Sequence, residues 1–218
     1  MSIMDQKETI YELIKEKTTT EAFVERVLSN HAMIPVLFDA IHSDKGTQKF
    51  YCEKIIRKLS ELSPELIYPY FSDVVRMVES DNKFIKWGGI ITLSNLLSED
   101  NEARFRDVFD SYYKLIDSDV MVTAVNVINN TWKIIKYYPD LEKQITEKLL
   151  SIENNTYLHK GKISSECKNI VLGAVINCFG TYYDLSDRKE EIIAFVKRQK
   201  NNTRKKVAKA ALDFLKDK

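Results

Sequence analysis

The sequence predicts an all-α fold built from repeated helical hairpins. Three observations favour it: few turn-forming residues, long segments with helical periodicity, and a regular spacing between the breaks that separate them. The chain has 218 residues but only 6 glycines and 4 prolines, roughly half the average share of each residue type. Because a β-rich fold of this length needs more turns, the composition favours long helices.

The breaks between segments recur at a nearly constant interval. Ser-Asp pairs begin at Ser43, Ser80 and Ser118, so the two intervals between them are almost equal. Each pair closes one apolar segment and precedes another, so we predict that its aspartate caps the next helix. The three predicted caps are Asp44, Asp81 and Asp119. Pro64 and Pro139, separated by two such intervals, open two further segments at a position where a first helical turn tolerates proline.

Four central segments between these breaks are each much longer than a typical strand, which has about 5 to 6 residues. They are residues 64–79, 82–98, 101–116 and 120–137. A period of about 40 residues with two helices per period is typical of HEAT and armadillo arrays. We therefore predict a HEAT/armadillo-like solenoid of about five helical-hairpin repeats.

The predicted repeats occupy the whole chain as one domain, residues 1–218. Residues 1–42 are predicted to form three shorter capping helices, the last of them "MIPVLFDAIHS". Residues 43–186 hold the central repeats, including a longer connection, "ENNTYLHKGK". Residues 187–218 form a basic C-terminal capping repeat.

Gly88 and Gly89 interrupt an apolar run, "DNKFIKWGGIITLSNLLSED". They could form a two-residue hairpin turn, a phosphate-binding loop, or part of a helix that a neighbour approaches closely. A shift by one repeat interval places them on Val125 and Asn126, where no turn residue occurs, and the chain contains neither G-x-x-x-x-G-K-[ST] nor G-x-G-x-x-G. We therefore predict a helix, in which close packing offsets a propensity cost of up to about 1 kcal/mol per glycine.

The cysteines and the apolar runs indicate a cytoplasmic protein. Cys52, Cys167 and Cys178 are odd in number and form no spaced framework, which is typical of reduced thiols in a cytosol. The N-terminal region lacks a cleavable apolar stretch. The longest uncharged run, residues 169–183, is shorter than the stretch of about 20 residues that a membrane-spanning helix needs. We expect no membrane partner.

Catalytic or metal-binding motifs are not evident in the sequence. The three histidines lie in different segments, none beside a cysteine at metal-ligand spacing, and the chain lacks H-E-x-x-H, C-x-x-C and G-x-S-x-G. Asp39 and His42, at positions i and i+3, are interpreted as a surface ion pair. We predict a protein that is not an enzyme and has no catalytic residues, no metal and no cofactor. Groups from distant repeats could still converge in space.

The second helix of each repeat normally lines the concave face with which such arrays bind partners. Asn126 and Asn130 share one face of such a helix, although asparagine is unfavourable in the middle of a helix. Polar amides on a buried inner helix need hydrogen-bond partners, either neighbouring backbone or the backbone of a bound peptide. The full set of predicted binding residues is Lys86, Trp87, Asn126, Asn130, Lys168, Arg204 and Lys205.

Several motifs extend from about residue 45 to the end of the chain: "KFYCEKIIRKLSELSPELIYPYF", "NKFIKWGGIITLSNL", "SSECKNIVLGAV" and "FVKRQKNNTRKKVAKAALDFLK". They resemble an uncharacterised family of short bacterial HEAT-repeat proteins. The resemblance implies an all-α, right-handed α-α superhelix and no assigned activity. A more distant likeness is to the DNA glycosylases for alkylated bases, which are also short HEAT-like chains. Their Trp-Asp motif has no match here.

Charge is unevenly distributed along the chain. The net charge is +1, but nine lysines and arginines against two aspartates give residues 197–218 a charge of +7. Our first hypothesis is a non-enzymatic scaffold that presents a concave helical surface to a protein or peptide partner, with an acidic segment suited to the basic end. The alternative is a nucleic-acid-binding protein related in architecture to the glycosylases, which would use the same basic stretch.

Overall fold

The structure, a computed structural model, describes residues 3–43, 46–216 and 218. The predicted cap Asp44 lies outside the described residues. Within the described chain the architecture is helical, which confirms the all-α prediction. The chain divides into two compact units, Met1–Arg106 and Asp107–Lys218.

The first unit consists of helices that pack in successive pairs. Its helices are α1 (Ile3–Lys15), α2 (Thr20–Leu28), α3 (Met33–Ser43), α4 (Gln48–Leu62), α5 (Pro64–Ile67), α6 (Phe71–Glu79) and α7 (Lys83–Asn95), and 3-10 turns span Tyr68–Tyr70 and Leu96–Ser98. Helix α4 packs against α3 and α7, and α7 also packs against α6. The three predicted N-terminal helices are therefore present, and α3 is the segment "MIPVLFDAIHS".

The second unit repeats the pairing and adds a small hairpin. Its elements are α8 (Phe105–Lys114, which begins at the end of the first unit), α9 (Met121–Tyr137), α10 (Glu142–Leu150), β1 (Leu158–His159), β2 (Lys162–Ile163), α11 (Ser165–Tyr182), α12 (Lys189–Arg198) and α13 (Lys205–Lys216). The 3-10 turns are Leu115–Asp117, Pro139–Leu141, Ser151–Asn154 and Tyr183–Leu185. Helix α11 packs against both α9 and α13.

The prediction that Asp81 and Asp119 cap helices is wrong. Asn82 caps α7, because its side-chain oxygen accepts hydrogen bonds from the N–H groups of Phe84 and Ile85 at 3.1 and 3.3 Å. Helix α9 follows Val120, which makes no side-chain cap. Each helix therefore begins one residue later than the Ser-Asp pair indicated.

The serines of these pairs explain the shift. Ser80 Oγ accepts a hydrogen bond from the N–H of Asn82 at 3.2 Å, and Ser118 Oγ does the same for Val120. A hydroxyl that bonds two residues ahead forms a local turn that competes with helix formation. The repeat signal in the sequence is thus a serine turn that precedes the helix.

A buried carboxylate fixes the start of α8. Asp100 accepts hydrogen bonds from the N–H groups of Arg104 and Phe105 at 2.9 and 2.8 Å, so it satisfies donors that the first turn leaves free. The hydroxyl of Tyr68 also donates to Asp100, at 2.7 Å. Burial and this hydrogen bond to Asp100 raise the pKa of Tyr68 to about 12.

Gly88 and Gly89 are buried inside α7, which confirms the helical interpretation. At Gly89 the neighbour is backbone, because an added Cβ would lie 2.6 Å from the nitrogen of Val78 and 2.8 Å from the carbonyl carbon of Met77, both in α6. At Gly88 the neighbour is the side chain of Glu53 from α4, with which an added Cβ would clash. The close helix approach that the sequence predicts is therefore made at Gly89.

The long connection before α11 contains a β-hairpin that the sequence analysis did not predict. Leu158 pairs with Ile163 and His159 with Lys162. The turn residues Lys160 and Gly161 both have positive φ, 50° and 76°, as the favoured two-residue hairpin turns require. Two residues per strand were too few to give an alternating pattern in the sequence.

The hairpin is anchored to the serine turn that precedes α9. Tyr157 is fully buried, and its hydroxyl donates a hydrogen bond to the carbonyl of Ile116 at 3.0 Å. The N–H of Leu158 donates to the carbonyl of Asp119 at 2.8 Å. The insertion is therefore a packed part of the second unit, and it shifts α11 away from the regular repeat spacing.

All three cysteines are free and buried. Cys52 lies in the first unit, and Cys167 and Cys178 lie on α11 in the second. Burial raises the pKa of the Cys178 thiol to about 12, and the hydrogen bond with Thr131 offsets part of that effect.

We predict that alanine at position 89 destabilises the protein more than alanine at position 88. Gly89→Ala forces two helix backbones apart and should lower the free energy of unfolding by roughly 1 to 3 kcal/mol. Gly88→Ala should cost less, because the Glu53 side chain can shift where a helix backbone cannot, whereas Gly88→Leu should be clearly destabilising. Denaturant unfolding measures these differences. Gly180→Ala is the control, since its added Cβ would meet only Phe214, at 3.9 Å. Equal losses of unfolding free energy at positions 88 and 89 would contradict the assignment of the close helix approach to Gly89.

We also predict that Glu53→Gln changes how stability depends on pH. Burial raises the pKa of the Glu53 carboxyl above its ordinary value of 4.5, and the hydrogen bond from Arg57 counteracts only part of that rise. The stability that protonated Glu53 contributes is therefore present below about pH 4.5 and is lost as the pH rises through its folded-state pKa. The difference in Tm, variant minus wild type, should be more positive at pH 7.5 than at pH 4.0. Glu61→Gln on the same helix is the exposed control, and a Glu53→Gln difference that is equal at both pH values contradicts the prediction.

Candidate binding surfaces

Helices α9, α11 and α13 of the second unit form a groove with a volume of about 260 Å³. We call it the α9–α11–α13 groove. Its apolar lining includes Val125, Ile170 and Val207. Gly173 lies close to α13, because an added Cβ there would lie 3.0 Å from Cγ2 of Val207. Apolar residues of α9, α11 and α13 thus all contribute to the lining.

Two asparagines place their amides in this groove. Asn129 from α9 and Asn177 from α11 both line it, and both are exposed. Neither side chain makes a hydrogen bond to any residue that the structure describes. Each amide offers two donors and one acceptor oxygen, so the pair can bond to both the N–H and the C=O groups of an extended peptide.

Positive charge marks one side of the groove. Arg204 and Lys206 line it, and no Asp or Glu does. Arg204 pairs with Glu166, whose side chain is 56% exposed. Lys206 has no ion-pair partner among the described residues. The charged groups of the groove therefore favour an anionic ligand.

The predicted binding residues Asn126 and Asn130 direct their amide donors to their own helix. Asn126 Nδ2 donates to the carbonyl of Val122 at 2.9 Å, and Asn130 Nδ2 donates to the carbonyl of Asn126 at 2.8 Å. Lys133 in turn donates to the Asn130 oxygen at 3.1 Å. Of the two alternatives that the sequence left open for these amides, the structure shows the bonds to backbone.

Of the remaining predicted residues of the second unit, Lys168 and Lys205 are not in the groove lining. Lys168 donates to the backbone carbonyl of Glu153 at 2.6 Å, outside the groove lining. Lys205 is exposed at the start of α13. Arg204 is the predicted residue that lines the α9–α11–α13 groove.

Asn177 was missed in the sequence analysis because of its position. It follows Asn129 by clearly more than one repeat interval. The hairpin insertion before α11 breaks the spacing, so the repeat could not align the two. The two asparagines could be aligned only after the residues that the hairpin inserts were subtracted from the spacing.

Lys86 and Trp87 lie on α7 in the first unit, where Trp87 belongs to a cluster of three aromatic rings. The Trp87 and Phe84 rings have centroids 5.3 Å apart and meet edge to face, and Phe84 meets Phe50 of α4 in the same way at 5.8 Å. Phe84 is 64% exposed. We call Phe50, Phe84 and Trp87 the Phe84 cluster.

The first unit contains a cavity of about 280 Å³, whose lining includes Asp39, His42, Asp73 and Arg76. The carboxylate nearest to His42 Nε2 is that of Asp73 on α6, at 3.6 Å, and not that of Asp39, the partner inferred from sequence. Burial and the Arg76 charge lower the pKa of His42, and Asp73 opposes that effect. The neighbouring Ser43 hydroxyl donates to the Asp39 carbonyl, so it is not aligned with the imidazole for nucleophilic chemistry.

Within the described part of the chain, no helix has the length and apolarity needed to cross a membrane. No three His, Cys, Asp or Glu side chains among residues 3–43, 46–216 and 218 stand close enough together to hold a metal ion.

Comparison with solved structures identifies the fold. The chain is similar to a designed armadillo repeat protein at a TM-score of 0.57 and 13% identity, over 96% of this chain and 92% of that one. It is equally similar to a designed armadillo repeat protein in complex with the peptide (KR)4, at a TM-score of 0.57 and 14% identity over 98% and 90% of the two chains. An engineered protein matches at a TM-score of 0.54 and 16% identity over 99% and 91%. No protein-family profile and no curated protein matches the chain, so these likenesses show an armadillo-like repeat fold.

Proposed function

We propose that the protein is a non-enzymatic binding module whose α9–α11–α13 groove holds an extended peptide segment of a protein partner. One observation carries the proposal: Asn129 and Asn177 present unbonded amides above an apolar floor. Asparagine in a helix costs stability relative to alanine, and these two side chains recover none of that cost through bonds within the described protein. A peptide backbone supplies the donors and acceptors that they lack.

The fold and the charges support this use of the groove. One structural neighbour is a designed armadillo protein in complex with (KR)4, a basic peptide. The groove of this chain is lined by Arg204 and Lys206 and by no carboxylate, so its charge favours an acidic segment. Lys205 beside them is proposed to contribute at the same end.

Other parts of the proposal rest on the sequence. The motifs between residue 45 and the C-terminus support membership in a family of short bacterial HEAT-repeat proteins. Three buried, free cysteines agree with a reducing cytoplasm. Of the residues inferred from sequence, Lys86, Trp87, Arg204 and Lys205 are retained as proposed contacts with partners.

A nucleic-acid ligand is the second candidate, favoured by the charge of the second unit. Residues 107–218 contain 19 lysines and arginines against 15 aspartates and glutamates, a net charge of +4, whereas residues 1–106 carry −3. Binding through phosphates would show a steep linear fall of log affinity with log salt. A titration of labelled (dT)12 between about 50 and 200 mM NaCl distinguishes this candidate from the first.

The first prediction of the proposal concerns the two amides. A phage-displayed library of random 12-residue peptides is selected on the wild-type protein after depletion on an Asn129→Ala/Asn177→Ala variant. Peptides so enriched should bind the variant at least about tenfold more weakly, about 1.4 kcal/mol, because their backbone loses hydrogen-bond partners. Fluorescence anisotropy with the enriched peptides measures the affinities.

The variant should fold normally, because alanine is the better helix former. Asn154→Ala, at an exposed asparagine outside the groove, is the matched control and should bind like wild type. If no peptide is enriched, or if the double variant binds equally well, the groove is not a peptide site.

The second prediction concerns the basic end. Replacing Arg204, Lys205 and Lys206 by glutamine should leave Tm nearly unchanged, because exposed charges are worth only about 0 to 1 kcal/mol each. The same change should weaken binding of the enriched peptides, and added salt should weaken wild-type binding likewise. A clearly lower Tm with unchanged affinity would make these residues structural.

A further inference from the structure

The Phe84 cluster is a surface of aromatic rings that pack against one another. Its two ring pairs meet at interplanar angles of 77° and 73°, an edge-to-face geometry that aromatic rings prefer. The next residue of α7, Ile85, is buried, and the cap by Asn82 fixes the first turn. The helix thus fixes the backbone that carries Phe84 and Trp87, and the rings contact one another without a ligand.

Exposure of such a cluster calls for an explanation. Phe84 is 64% exposed and Phe50 and Trp87 are half-buried, although large apolar side chains dominate protein interiors. Aromatic side chains that are fixed in position before binding are typical anchors of interfaces, because little conformational entropy is lost on association.

Lysines surround the cluster and are not neutralised. Helix α7 contains Lys83 and Lys86 and no Asp or Glu. Lys49 of α4 lies over the Phe50 ring, 5.5 Å from its centroid. Within the described part of the chain, none of these three lysines has a carboxylate within ion-pair distance.

The neighbouring carboxylate of Glu53 does not compensate this charge. Glu53 is buried against Gly88 and accepts a hydrogen bond from Arg57 at 2.8 Å. The first unit as a whole has 17 acidic and 14 basic residues. A local cationic surface on an acidic unit favours a partner with the opposite charge.

We propose that the Phe84 cluster with Lys49, Lys83 and Lys86 is a docking surface for an acidic peptide segment of a protein partner that carries one large apolar side chain. The apolar side chain packs against Phe84 and Trp87, and flanking carboxylates pair with the lysines. This surface shares no residue with the α9–α11–α13 groove, and its occupant does not depend on the function proposed for the groove.

The same features are less suited to a nucleic acid. Stacking of successive bases needs exposed ring faces along a basic track, whereas these rings bury edges and faces against each other. The unit also carries a net charge of −3. A second copy of the chain is the other alternative, which the experiment also tests.

The test uses Trp87 as its own reporter. Trp132→Phe leaves Trp87 as the sole tryptophan, because the chain contains two. A phage-displayed library of random 12-residue peptides is depleted on a Phe84→Ala variant and selected on the parent. Enriched peptides should have a net negative charge and one Leu, Phe, Ile or Trp, and non-tryptophan peptides among them should shift the Trp87 emission with saturation.

Three sets of variants assign the contacts. Phe84→Ala should weaken binding at least about tenfold, Lys83→Gln/Lys86→Gln should weaken it several-fold, and this loss should shrink as salt rises. Leu185→Ala, at a side chain that is 71% exposed in the second unit, and Lys15→Gln/Lys17→Gln are the apolar and charged controls, which should bind like the parent. Phe84 is exposed, so its alanine variant folds, and circular dichroism verifies this.

Each contrary outcome overturns the proposal. If the enriched peptides are neutral or basic, the surface does not select acidic segments. The same conclusion holds if the parent enriches no more peptides than Phe84→Ala does. Tighter binding of (dT)12 than of any enriched peptide, lost in Phe84→Ala, makes it a nucleic-acid surface. Sedimentation that shows a wild-type dimer and a Phe84→Ala monomer makes it a self-association surface. Loss of binding in Asn129→Ala/Asn177→Ala with full retention in Phe84→Ala assigns the enriched peptides to the groove.

Discussion

The contact between Gly89 and the backbone of α6 sets the arrangement of the first unit. With no side chain at this position, α7 can lie against α6 at a distance that a single methyl group would prevent. Gly88 then leaves room for Glu53 from α4 on another side of the same helix. Packed on two sides, α7 can present to solvent only the remaining face, which carries Phe84, Lys83 and Lys86. The aromatic surface is thus a consequence of the two glycines that follow it in the sequence.

Sequence reasoning was most reliable where one physical rule acted over many residues. Helical periodicity with few turn residues gave the helices, and alignment of one repeat on the next showed that Gly88 and Gly89 were helical. It was least reliable where a single hydrogen bond decides a boundary. The hydroxyls of Ser80 and Ser118 form turns that displace each helix start by one residue, and an aspartate beside them looked like an equally good cap.

The asparagines of α9 show why a site is harder to predict than a fold. Asn126, Asn129 and Asn130 are the same residue type on one helix, and each is unfavourable there by propensity. Asn126 and Asn130 return their amide donors to backbone carbonyls four residues earlier, whereas Asn129 is exposed in a groove without such a bond. The difference depends on the side-chain rotamer and on which neighbour covers each position, and neither is encoded in a local pattern. Predicting Asn177 would in addition have required a repeat spacing corrected for the residues that the hairpin inserts.

Because the cysteines are buried, the reactivity of each thiol measures the opening of the unit that contains it. A thiol reacts as the thiolate and only when a reagent can reach it, so in the closed protein Cys52, Cys167 and Cys178 are inert. Alkylation at Cys52 follows exposure of the first unit's interior, and alkylation at Cys167 or Cys178 follows exposure of α11 in the second. Their relative rates therefore measure whether the two units open as a single cooperative block or one before the other, without any engineered label.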